Sequence, residues 1–187
     1  AALRSRVVKA ETYRVTVDVT GNGLADPERT FASHTELDFT SAGGSTHLDV
    51  IADEIRSATL DGKPLPLDEF DGYRLPLKDL SEGRHTVVVD AVGRFSHTGE
   101  GLHRFVDTDG KVYLYSQFET ADARRMYATF EQPDQKATFQ LTVVAPEHWS
   151  VFSNSRSVAG KPAGDGIACF EHAPTPVIAT YITALVA

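Results

Sequence analysis

Cysteine and long apolar runs are both scarce in this sequence of 187 residues. Cys169 is the only cysteine, so no intramolecular disulfide can form and no cysteine cluster can hold zinc. The longest weakly polar stretch, residues 177–187, is too short to span a bilayer, and residues 1–6 lack the apolar run of a signal peptide. We therefore expect a soluble, cytoplasmic protein with no membrane partner.

Motifs that carry catalysis are also missing. The sequence contains no H-E-x-x-H, no G-x-S-x-G and no glycine-rich phosphate loop. Its seven histidines are scattered, and none pairs with another at a metal-ligand spacing. We expect neither a catalytic residue nor a metal or cofactor site within this chain.

Basic residues are outnumbered, with 18 Lys and Arg against 26 Asp and Glu, which gives a formal net charge of −8. Such a surface repels phosphate backbones, so a nucleic-acid partner is not expected. An acidic surface favours cationic ligands such as the ammonium group of a peptide, but most acidic surfaces only keep a protein in solution.

Alternation of apolar and polar residues with a period of two runs through most of the chain. Residues 13–19 and 31–39 show it most clearly. Similar segments cover 46–51, 55–67, 73–77, 85–92, 103–106, 111–118, 137–143, 149–152, 167–170 and 177–185. Both faces of segment 85–92 are apolar, which is typical of a central strand. The pattern predicts an all-β fold, a β-sandwich or folded sheet of about ten or more strands.

Turn and helix signals divide these segments. Asp61-Gly62 and residues 107–110 are typical of hairpin turns. One short helix is predicted near residues 120–127, with Thr120 as its cap and Asp122 in its first turn. No stretch is long enough to link two domains, so residues 1–187 are predicted to form a single domain.

Two polar residues stand out at the end of the strand predicted over 111–118. Gln117 and Glu119 are two residues apart, so in a strand they project from the same face. A carboxylate beside a neutral acceptor suits a ligand ammonium, because one charge-assisted bond is joined by one neutral bond. On spacing alone, however, a solvated strand face is the simpler explanation of the pattern.

Several motifs around these residues occur in a fixed order. They are S-Q-F-E at 116–119, D-A-R-R at 122–125 and F-E-Q-P-D-Q-K-A-T-F at 130–139. Together they resemble the amino-terminal domain of the aminopeptidase N family, a family of gluzincin zinc metallo-aminopeptidases. The resemblance extends from residue 13 to the carboxyl end and is densest over 101–154. Glu131-Gln132 departs from the more common D-E pair of the family.

This resemblance implies a division of labour between domains. The amino-terminal domain is expected to be a saddle-like antiparallel β structure beside a thermolysin-like domain, which carries H-E-x-x-H, a third glutamate ligand and a G-x-M-E-N loop. Zinc would belong to that catalytic domain, which is expected to lie outside the given sequence. Carried over to this chain, Glu119 would bind the free α-amino group of a peptide, and Gln117 would line the adjacent pocket for the first residue. Apolar area is expected near residues 177–187, where the two domains would meet.

Two other readings remain open at this point. One is an isolated β-sandwich binding module, for example for carbohydrate, although Trp149 is the only tryptophan that could serve as a sugar platform. The other is a non-catalytic scaffold or protein-binding module, as in a relative that has lost its zinc site. Retention of Gln117 and Glu119 favours a catalytic parent.

Overall fold

The chain forms two β-sheets in a computed structural model that describes residues 4–187, apart from the side chain of Ala159. The strands are β1 (Val8–Asp18), β2 (Thr30–Asp49), β3 (Glu54–Leu60), β4 (Lys63–Pro64), β5 (Arg74–Arg94), β6 (Gly101–Val106), β7 (Val112–Gln117), β8 (Thr138–Pro146), β9 (Phe152–Ser153), β10 (Ser157–Gly164), β11 (Ile167–His172) and β12 (Leu185–Val186). A four-residue helix, α1 (Arg4–Val7), and the 3₁₀ turns Leu67–Glu69, Ala123–Arg125 and Thr180–Ile182 complete the described elements. No helix within residues 4–187 is both long and apolar enough to cross a membrane.

Strand order separates a large sheet from a small one. The large sheet has the order β10-β11-β8-β1-β2-β5-β3-β4, and the small sheet has the order β6-β7-β12-β9. The all-β prediction is confirmed. The arrangement is not antiparallel throughout, because β1 pairs with β8 in parallel, with Tyr13 opposite Phe139. A parallel pair needs a long connection, and residues 19–137 supply it.

The strand β2 is longer than the sequence pattern predicted. Residues 31–39 and 46–51 were expected to be separate strands broken by Gly43-Gly44, but β2 passes through both. The two glycines have φ values of 87° and 111°, and the register with β5 shifts just after them, between Gly44 and Thr46. The two glycines thus introduce a β-bulge into β2 and do not end the strand.

The position of β5 and the two predicted hairpins are confirmed. β5 lies between β2 and β3, and Val87 and Val89 are buried. Asp61 and Gly62 both have positive φ in the tight turn between β3 and β4, as a two-residue hairpin of this kind requires.

The helix predicted near 120–127 is reduced to the single 3₁₀ turn Ala123–Arg125. Asp122, not Thr120, is its first flanking residue, and no side chain caps it. Every residue from Met126 to Phe130 is buried, so this stretch has no solvent-facing side for an amphipathic helix. It instead bonds to β2: Ala128 N–H donates to Thr35 Oγ1, and Thr129 pairs with Asp49.

Segment 177–185 was predicted as a strand, but only Leu185–Val186 of that region pairs as one, after the turn Thr180–Ile182. The strand β10 was not predicted at all. It is an edge strand with few apolar residues, so its sequence shows little alternation.

One hydrophobic core joins the two sheets. At its centre the Tyr13 and Phe139 rings stack with centroids 4.6 Å apart, and the Phe130 ring meets Phe39 edge-on at 5.3 Å. The small sheet contributes Leu102, Leu114 and Leu185, all essentially without solvent exposure. Its other face therefore points away from the core.

Candidate functional site

Gln117 is the last residue of β7, and its strand partner is Gly101 at the start of β6. Gln117 and Glu119 are both exposed, whereas Phe118 between them is buried with 1% of its surface accessible. The alternation of the strand thus continues to Glu119, and the buried ring fixes the chain between the two polar residues. The structure places both residues together at one end of the small sheet, as their spacing predicted.

A hydrogen bond links the two residues directly. The backbone N–H of Glu119 donates to Oε1 of Gln117 at 2.7 Å. The peptide bond that follows, Glu119-Thr120, is cis. The carboxylate of Glu119 makes no hydrogen bond or ion pair with any residue in the range 4–187. It is a solvent-facing carboxylate on the residue whose N–H bonds Gln117 Oε1, an amide oxygen that has a second lone pair.

The segment after Glu119 is fastened on both sides. Within it, Asp122 N–H donates to Phe118 C=O, and Arg125 Nε donates to Asp122 Oδ1 at 2.7 Å. Arg125 packs over Gly101, and the φ of 70° at Gly101 is a backbone conformation that other residues rarely adopt, so glycine is favoured at this position. These contacts attach the loop to the same end of β6 that pairs with Gln117.

Ile51, in the connection between β2 and β3, and Glu131 hold this segment from its other side. Ile51 N–H donates to Arg124 C=O, and the N–H of Arg124 donates to Oε2 of Glu131. These bonds fix the backbone of the segment that follows Glu119.

A family model described as the peptidase M1 N-terminal domain matches residues 52–182, a range that includes Gln117 and Glu119. The chain belongs to the peptidase M1 N-terminal domain family. The resemblance found in the motifs of residues 116–139 is thereby confirmed.

Relatives of this M1 domain are named as aminopeptidases. The chain is 44% identical over 190 residues to aminopeptidase N of Streptomyces lividans, an alignment that covers 100% of this chain and 21% of that protein. It is 38% identical over 114 residues to aminopeptidase N of Acetobacter pasteurianus, covering 58% of this chain and 32% of that protein. With aminopeptidase M1-D of Oryza sativa subsp. japonica it shares 39% identity over 76 residues, or 41% of this chain and 9% of that protein. The chain thus spans about a fifth of the length of the Streptomyces protein.

The outer face of the small sheet in this M1 domain is apolar. We use the term apolar face for the exposed side chains of Phe105, Tyr113, Tyr115, Phe152 and Val186. Tyr115 lies opposite Val186, which in turn lies opposite Phe152, and the Phe105 and Tyr113 rings stack at 5.2 Å. Phe152 is the most exposed member, at 63%. Tyr113 and Tyr115 alternate with buried Leu114 and lead directly to Gln117, so the face runs up to the candidate site.

Apolar exposure at the carboxyl end agrees with the sequence-based expectation, since Val177, Ile182 and Val186 are all exposed. Sequence reasoning did not find the contribution of β6, β7 and β9 to the same surface. The signal was present in β7, where the side chains that alternate with Leu114 are large aromatics, but alternation alone does not say which face is buried.

Metal-ligating side chains do not come together in the part of the chain that the structure describes: no group of three or more His, Cys, Asp or Glu residues there could hold an ion. Residues 4–187 therefore do not fit a zinc ion, and no step of peptide hydrolysis is derived from them.

Proposed function

We propose that this chain is the substrate-recognition domain of a zinc aminopeptidase, in which Glu119 binds the free α-amino group of a peptide. The observation that carries the proposal is the unpaired, exposed carboxylate of Glu119 beside the amide of Gln117. Family membership supports the same parent activity, because the similar proteins are named as aminopeptidases.

Charge and geometry together suit a terminal ammonium. The ammonium group has three donors and one positive charge, and the Glu119 carboxylate offers a charge-assisted bond to one of them. Gln117 Oε1 already accepts the N–H of Glu119, so it has one lone pair left for a second, neutral bond. Holding the amine at a fixed point sets which peptide bond is presented for cleavage, and only the first residue is then removed.

Zinc and the residues that activate water belong, in this proposal, to a separate catalytic domain of the same polypeptide. The apolar face is the surface through which the two domains contact each other. It is contiguous and ends at Gln117, so a domain packed on it would form a cleft with Glu119 on its wall. By itself the chain is expected to fold and to leave an amino-acid anilide uncleaved. The cytoplasmic location stays a prediction.

The test is a cycle in the full-length enzyme that crosses Glu119 variants with substrates whose amino terminus is free or acetylated. Losing one partner of a desolvated charge pair costs about 2–5 kcal/mol. Glu119→Ala should therefore lower kcat/KM for free peptides by roughly 30-fold to several thousandfold. Glu119→Gln should also be strongly impaired, since it keeps the shape and loses the charge.

Acetylated peptides should be poor substrates of the native enzyme and should show a much smaller difference between native and variant. Glu147→Gln is a matched control, because Glu147 is also exposed and its carboxylate has no partner among the described residues. Equal losses on free and acetylated substrates would assign Glu119 to the fold rather than to amine binding. A full-length protein without zinc or turnover would instead support the scaffold alternative.

A further inference from the structure

A pocket of about 480 Å³ lies on the large sheet beside α1, and the inference drawn from it does not depend on the role proposed for Glu119. Its wall includes four basic side chains, from Arg4, His47, Arg74 and Arg124, and two carboxylates, from Asp49 and Glu131. Counting only the arginines and carboxylates, the pocket holds three positive and two negative charges, in a chain whose net charge is −8.

Both carboxylates are already used by the fold. Asp49 is 5% exposed, and its Oδ2 accepts bonds from Arg4 at 2.7 Å and from the N–H of Glu131 at 3.0 Å. Glu131 Oε1 accepts from Thr180 Oγ1, and its Oε2 accepts from the N–H of Arg124, each at 2.7 Å. Burial raises the pKa of Glu131 despite these bonds.

Two of the guanidinium groups, by contrast, make no direct bond, although Arg124 acts on Glu131 and Arg74 acts on Asp71 through charge. Neither Arg74 nor Arg124 forms a side-chain hydrogen bond or ion pair with any residue that the structure describes. Nε of Arg124 is shielded from solvent and still lacks an acceptor. A donor shielded from solvent is equally shielded from a ligand, so the terminal nitrogens of Arg74 and Arg124 are the donors that a ligand oxygen in the pocket would meet.

The pKa of His47, which also lines the pocket, is shifted. Burial, and after it the charge of Arg4, lower the pKa of His47, even though Asp49 opposes the shift. Arg74 adds a smaller contribution in the same direction. Burial is thus the main cause of the shift, and the arginines add to it while Asp49 opposes it.

We infer that this pocket binds a small dianion, a phosphate ester or a dicarboxylate, with Arg74 and Arg124 as its cationic contacts. The planar guanidinium fork matches the oxygens of either group, and the pocket has room for more than an inorganic ion. Arg4 is neutralised by its ion pair with Asp49, so it lines the pocket but is not one of the cationic groups that bind the ligand.

The test is an NMR titration of this chain with inorganic phosphate and, separately, with succinate, with sodium chloride holding the ionic strength constant. Saturable shifts are expected at residues 45–47, 74 and 124, together with a rise in the pKa of His47. Arg74→Gln should weaken binding by at least about tenfold, which corresponds to about 1.4 kcal/mol. Arg124→Gln should act in the same direction.

Arg84→Gln is the control, since its side chain is 85% exposed and does not line this pocket. Arg74 is exposed as well, so its variant is expected to fold even if the Arg124 variant does not. Tighter binding of phosphate would identify the phosphate-ester class, and tighter binding of succinate the dicarboxylate class. The inference fails if neither anion saturates, if the shifts spread over all basic residues, or if Arg74→Gln binds as well as the native chain.

Discussion

The backbone N–H of Glu119 is bonded to the side-chain oxygen of Gln117, two residues earlier, at 2.7 Å. β7 ends at Gln117, so this bond replaces the strand ladder as the constraint on the next residues. Phe118, buried between the two, supplies the second constraint. Gln117 therefore positions Glu119, in addition to any contact that it makes with a ligand.

Gln117→Ala should reduce kcat/KM of the full-length enzyme by about two- to tenfold, because a neutral hydrogen bond contributes about 0.5–1.5 kcal/mol. Gln117→Glu should do less damage, since it keeps an acceptor for the N–H of Glu119. Steady-state kinetics on free and acetylated peptides measures both. A loss in Gln117→Ala as large as that of Glu119→Ala would contradict the lesser role given to Gln117.

The apolar face predicts weak self-association of the separate chain. Phe152→Ser should reduce it without lowering the melting temperature, because Phe152 is already 63% exposed and little burial is lost. Sedimentation velocity over a range of concentrations measures the association. Tyr73→Ser is the control, since Tyr73 is 59% exposed but lies outside the apolar face. If both variants associate like the native chain, the face is not the contact surface.

Tyr13 predicts a stability effect in the hydrophobic core. Its hydroxyl oxygen accepts bonds from Thr129 Oγ1 and from the N–H of Phe130, both at 3.1 Å. Burial raises the pKa of Tyr13 to about 12, so the hydroxyl stays neutral. Tyr13→Phe strands two buried donors and should lower the free energy of unfolding by about 1–3 kcal/mol. Chemical denaturation measures it, and exposed Tyr73→Phe should change it by less than about 0.5 kcal/mol.

His85 and Asp61 predict a pH-dependent contribution to stability. The ring nitrogens of His85 face Asp61 Oδ2 at 2.7 Å and the C=O of Ser81 at 3.0 Å. Burial alone would lower the pKa of His85, but these two acceptors outweigh it, and the pKa lies above 6.5. The stabilisation is thus fully present below pH 6.5 and is lost as the pH rises through the raised value.

Asp61→Asn should therefore lose about 0.5–1 kcal/mol of stability relative to the native chain near pH ~5.5, and less near pH ~8.5. The pKa of Asp61 is itself lowered, although burial opposes this, because Thr86 N–H and His85 bond to the carboxylate, so the acid stays ionised at the lower pH. Thermal melts at the two pH values measure the difference in stability between Asp61→Asn and the native chain. In a His85→Gln background this stability difference should no longer depend on pH. If its pH dependence persists there, it does not come from the pair of His85 and Asp61.

The sequence-based predictions were correct where the structure depends on residues close together in sequence. The strand and turn predictions rest on neighbours two to four residues apart, and β5 and the Asp61-Gly62 hairpin were confirmed. The helix near 120–127 was wrong in extent, because its local cues compete with contacts from Thr35 and Asp49, more than seventy residues earlier. Burial of the whole stretch 126–130 decided the outcome.

By itself the sequence determined the all-β class and the family, since alternation, turn residues and ordered motifs are all local patterns, and it predicted Gln117 and Glu119 as the site residues. Only the tertiary structure decided that Glu119 is held by Gln117, that aromatic residues from β6, β7 and β9 form one exposed face, and that Arg74 and Arg124 share a pocket. These relationships join residues that strand pairing brings together from separate parts of the chain. A pattern with a period of two marks which side chains share a face, but the packing of one sheet on another decides which face meets solvent.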